Sequence, residues 1–97
     1  MSELDKWKER AEVLKALAHP TRLFVVDKLR EEPRSVGWLT EQAGCDISTM
    51  SRHLSVLKNQ DIVRDEKEGT TVNYHLNMPC VLNFFGCVED VIDDRES

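Results

Sequence analysis

No apolar run in this chain of 97 residues approaches the ~20 needed to cross a bilayer, so no membrane helix is expected. The opening stretch MSELDKWKER is charged and has no apolar core. It does not read as a secretory signal, and a cytoplasmic location is the expectation. Three cysteines are too few for a disulfide scaffold, and their number is odd. There is no internal repeat, low-complexity tract or linker, so 1–97 is expected to form one domain. No nucleophile–base–acid constellation and no glycine-rich phosphate loop is visible, so an enzyme is not expected. A basic excess is missing too: the formal net charge is -5, which at first argues against a nucleic-acid partner.

The distribution of charge changes that reading. Glu89, Asp90, Asp93, Asp94 and Glu96 stand against Arg95 alone at the C-terminal end, and Asp61, Asp65, Glu66 and Glu68 against Arg64 and Lys67 before it. The first sixty residues are close to neutral, so local surfaces decide what they bind.

The apolar residues of that part repeat with helical spacing. Leu4, Trp7, Ala11, Leu14 and Ala18 form one stripe. His19-Pro20-Thr21 breaks this helix and starts a second, because proline suits a first helical turn. Leu23, Val26 and Leu29 give the second helix its apolar face, and Pro33 ends it. Ser35 is read as the N-cap of a short third helix through Val36, Leu39 and Ala43, stopped by Gly44. Asp46 caps a fourth, with Ile47, Met50, Leu54 and Leu57 on its apolar face.

After Asp61 the period changes. Ile62 to Glu66 reads as a strand and Lys67-Glu68-Gly69 as a turn. Val72, Tyr74 and Leu76 then alternate with Thr71, Asn73 and His75 as in a half-buried strand. A fifth helix is expected over 78–93. The fold class is therefore mainly α with a small β-hairpin, in the order α-α-α-α-β-β-α: a winged helix-turn-helix. The second helix of such a pair usually enters the DNA major groove. Opposite the buried face of the fourth helix lie Ser48, Arg52 and Asn59, flanked by Thr49, Ser55 and Val56. This face is small and polar, with one arginine and no acid. It suits base edges and phosphates, Arg52 fitting either a guanine or a phosphate. Composition alone fits a solvated helix face equally well.

The segments LKALAHPTRL (14–23), STMSRHLSVLKNQDIV (48–63) and EGTTVNYHL (68–76) resemble the ArsR/SmtB family, in the right order over nearly the whole chain. The resemblance implies a homodimeric winged-helix transcriptional repressor that binds double-stranded operator DNA and releases it on metal binding or thiol chemistry. It implies that Asp46 to Gln60 reads DNA, that Ser51 and His53 join the contact surface, and that the wing, Arg64 to Thr71, touches the backbone through Lys67. It also places the dimer interface on the first and fifth helices. His53 fits packing beside the turn as well. Asp65, Glu66 and Glu68 surround Lys67 in the sequence, so phosphate contact by the wing is expected to be weak.

No cofactor is expected to be needed for DNA binding. Of the family's inducer sites, the third-helix Cys-x-Cys is replaced by Ser35 and Gly37, and the fifth-helix zinc site lacks histidine. Glu89, Asp90, Asp93 and Asp94 read mainly as a solvated tail whose last turn frays, since carboxylates at a helix C-terminus oppose the dipole. Cys80 and Cys87 remain as candidate ligands for As(III) or another thiophilic metal, with Cys45, in the turn, read first as a packed residue. Cys80, Phe84, Cys87 and Val91 share a helical stripe and fit a dimer seam equally. Cys80, in the first turn, is expected to be the better nucleophile. Seven residues of helix rise about 10.5 Å. Two thiolates on one ion lie at most about 4.6 Å apart, so one straight helix does not easily chelate through both. Either the helix breaks at Gly86, or Cys80 meets Cys87 of the other subunit in an antiparallel pair. Three functions stay open: a repressor released by arsenite or a soft metal, the same repressor sensing oxidation or persulfide, and a protein-interaction module that has lost DNA binding.

Overall fold

Side chains that accept backbone hydrogen bonds start the first four helices. The computed structural model describes residues 2–96, the Leu82 side chain apart. α1 (Glu3–Leu17) begins with a capping box between Ser2 and Asp5. α2 (Pro20–Glu31) is capped by His19, whose Nδ1 accepts from the Thr21 N–H at 3.1 Å. The residue before a proline avoids the α region, and His19 is accordingly extended (φ -154°, ψ 135°). α3 (Val36–Ala43) starts on Ser35, and Gly44 ends it in the left-handed region at φ 74°. α4 (Ile47–Asn59) starts on Asp46, whose Oδ1 accepts from the Thr49 N–H at 2.7 Å.

The sheet has three strands where the sequence suggested two. β1 (Arg34–Ser35), β2 (Val63–Glu68) and β3 (Thr71–Leu76) lie in the order β1-β3-β2, all antiparallel. β2 and β3 form the wing, with Val63 opposite Leu76 and Glu68 opposite Thr71. The turn lies at Gly69 (φ 67°), so Lys67 and Glu68 belong to the strand rather than the turn. β1 is two residues long and has no period to reveal it.

α5 (Val81–Glu96) starts three residues later than expected and runs unbroken through Gly86 and the acidic end. Proline again explains the start: Met78, before Pro79, is held out of the helix, and Val81 N–H to Met78 O closes a turn at 3.2 Å. Of the two arrangements left open for the cysteines, a break at Gly86 is not found among the described residues.

The core joins Val25, Val26 and Leu29 of α2, Leu39 of α3 and Met50, Leu54 and Leu57 of α4 to Ile62 and Val63 under the wing. Each such side chain contributes about 1.5–3 kcal/mol on burial. Three expected faces shift. Leu23 and Ile47 point outward, and Val25 takes the inner place on α2. On α1 the buried pair is Ala16 and Leu17, whereas Leu4, Trp7 and Leu14 are more than half exposed. The α1 stripe is apolar, but it faces away from this chain's own core.

Candidate nucleic-acid interface

The α3–α4 turn sets the direction of α4, and two residues define it. Gly44 supplies the left-handed backbone and Asp46 the cap. The Thr49 N–H bond holds the Asp46 carboxyl below its ordinary 3.8, with further help from Ser48 N–H and the Arg52 charge. Cys45 between them is half-buried against the core, as a packed residue.

With Met50, Leu54 and Leu57 inside, Ser48, Arg52, Ser55 and Asn59 form one exposed line along α4, with Ser51 exposed beside it. Thr49 and His53 are half-buried on the flank. The His53 ring lies on His19, centroids 4.4 Å apart and tilted by 44°. Burial lowers the His53 pKa from its ordinary 6.5, and the neighbouring His19, Arg22 and Arg52 lower it further. His53 thus ties α4 to the start of α2. Arg22, absent from the sequence reading, comes within electrostatic reach of this surface from α2. No helical wheel of α4 could show it.

The wing is less hostile to phosphate than its sequence suggests. Side chains alternate across a strand, so Asp65 and Lys67 share one face of β2, and Arg64, Glu66 and Glu68 the other. Asp65 is engaged by Lys58 of α4 at 3.0 Å. Their hydrogen bond is the main cause holding the Asp65 carboxyl below its ordinary range and raising the Lys58 ammonium. Lys67 is exposed on the strand beyond. The arrangement can present an acid-free polar helix face with Arg52 at its middle, and a lysine-bearing ribbon beside it.

The thiols lie elsewhere. Cys80 is exposed in the turn just before α5, one residue short of the first helical turn expected for it, and Cys87 is exposed inside α5. Around them Phe84, Val88, Val91 and Ile92 are exposed. Phe84, Phe85 and Val88 also wall an open apolar groove of about 590 Å³ against Leu14, Leu23 and Phe24.

A helix-turn-helix domain family matches residues 17–66, which span the core and the candidate reading helix. The nodulation protein NolR of Rhizobium meliloti is 35% identical over 81 residues, covering 84% of this chain but only 66% of that protein. The homodimeric winged helix-turn-helix DNA-binding domain of Mb0332 from Mycobacterium bovis, a possible ArsR-family transcriptional regulator, superposes with a TM-score of 0.80. It is 30% identical and is matched over 98% of this chain and 90% of that one. The transcriptional repressor BigR from Xylella fastidiosa superposes at 0.75 with 32% identity, over 94% of this chain and 96% of that one. In motif, in wing and in overall course, the chain belongs to the ArsR/SmtB family of winged helix-turn-helix transcriptional regulators, a family of DNA-binding proteins rather than enzymes.

Proposed function

We propose that this protein is a dimeric repressor that binds operator DNA through Ser48, Ser51, Arg52, Ser55 and Asn59 of α4 and Lys67 of the wing, with Thr49 and His53 flanking. The observation that carries the reading is the acid-free exposed line along α4, fixed by the Asp46 cap and the Lys58–Asp65 pair. The homodimeric domain from Mycobacterium bovis and the repressor from Xylella fastidiosa support dimer and repression. The exposed apolar side chains of α1 and α5 support the same two helices as the seam.

Release from DNA is assigned to a thiophilic metalloid or soft metal, arsenite first, at Cys80 and Cys87. Support comes from two free, exposed thiols on the edge of the seam helix. Between residues 81 and 87 the unbroken helix rises about 9 Å, too far for one ion to bridge within a chain. This reading therefore pairs Cys80 with Cys87 of the other subunit. Exposure of both thiols favours a second trigger equally, their oxidation or persulfidation.

A gel shift on the protein's own upstream DNA tests this. Binding should weaken steeply as salt rises. Arsenite should weaken it about tenfold or more for the wild type and not for the Cys80→Ser, Cys87→Ser variant. Response to peroxide or persulfide alone selects the redox trigger. No shift at low salt leaves an interaction module.

A further inference from the structure

The wing carries a second cluster, apart from the residues assigned above to DNA contact. On the face of the hairpin opposite Lys67, Glu66, Glu68 and His75 converge, with one ligand atom from each within 4.8 Å of the others. They are the one such group of three among the described residues. Their orientations are fixed by neighbours. Arg64 Nε donates to Glu66 Oε1 at 3.1 Å, and Asn77 holds that arginine through a 2.7 Å bond. Asn73 Nδ2 donates to Glu68 Oε2 at 3.2 Å. Each carboxylate is thus held by one oxygen and turns the other toward His75 Nε2, Glu66 Oε2 at 3.5 Å and Glu68 Oε1 at 3.6 Å.

That nitrogen is shut off from solvent and has no hydrogen-bond partner. A buried polar atom left so costs free energy. The two separations are too long for an N–H···O bond. They match the distance between neighbouring ligands on a tetrahedral ion with bonds near 2.1 Å, which is about 3.4 Å. Outer hydrogen bonds that aim ligand carboxylates are a mark of metal sites.

We propose that Glu66, Glu68 and His75 bind a divalent first-row transition ion, of the zinc or manganese class that takes imidazole and carboxylate together. Three protein ligands leave at least one coordination position open. The two positive charges offset the excess of acid over base between Asp61 and Thr70. The open position suits a phosphate oxygen, so the bound ion strengthens the wing's hold on the DNA backbone. This second half rests on the DNA-binding reading above; the site itself does not.

Mn2+ is the probe, because it prefers oxygen and nitrogen donors and largely ignores thiolates. Added below stoichiometry to the wild-type protein, it should broaden the amide NMR signals of residues 66–75 selectively. The broadening should vanish in His75→Gln and in Glu68→Gln, whose spectra also report whether they fold. Broadening confined to the acidic end of α5, or unchanged in both folded variants, overturns the site and leaves a metal-free ion pair. In fluorescence anisotropy, Mn2+ should raise wild-type DNA affinity about tenfold and leave both variants unmoved. Unchanged or weaker binding overturns the phosphate bridge. If salt-sensitive DNA binding is absent with and without Mn2+, the repressor reading fails, while the NMR titration still decides the site.

Discussion

Arg52 and His53 are neighbours in sequence with opposite fates. Arg52 is exposed at the middle of the polar line, and His53 is turned inward onto His19. Truncating Arg52 to alanine should leave thermal stability unchanged and cost about 1–3 kcal/mol in DNA binding. If the loss is confined to the operator, Arg52 reads a base; if it extends to unrelated duplexes, it holds a phosphate. His53 also acts on folding. Its folded pKa lies below the ordinary 6.5, so the unfolded chain binds the proton more readily. Its contribution to stability is complete above that value and is lost as pH falls from 6.5 through the lower folded pKa. Urea midpoints at about pH 7.5 and about pH 5.5 should differ more for the wild type than for His53→Gln.

Among the elements, the third and fourth helices, each with a local cap, were legible from the sequence alone. Ser35, Gly44 and Asp46 do what their types predict, because capping chemistry is local. The core of α4 was legible from its spacing, and the wing from its alternation. Two things were not. β1 is defined by its pairing with β3, and a pairing leaves no local signature in two residues. The partners of Asp65 and Glu66 were also hidden. Charges adjacent in sequence are separated by the pleat, so Asp65 meets Lys58 of another element, while Glu66 and Glu68 meet His75 across the hairpin. Gly44 gives a test at this scale. A Cβ there would meet nothing within 4 Å, so the penalty in Gly44→Ala comes from the left-handed backbone alone. It should be about 1–2 kcal/mol in chemical denaturation. Loss of much more would mean that the turn carries packing its open surroundings do not show.

For the whole molecule, the largest unexplained feature of a single chain is its outward apolar surface. Trp7 and Phe84 are each 55% exposed, on helices that otherwise carry charge. The sequence located these stripes but could not tell a seam from a core, since both require the same spacing. Replacing both residues with glutamate should convert a dimer to a monomer in sedimentation, with helical circular dichroism kept. A dimer that survives the double change places the seam elsewhere.

The Lys58–Asp65 contact has a kinetic meaning. It joins the last turn of α4 to the first residues of the wing, so the helix and ribbon proposed to contact DNA are presented as one preformed unit. Ordering one relative to the other occurs on folding and not at the operator, which removes that entropy cost from binding. A protein built this way should associate at a rate limited by steering rather than rearrangement.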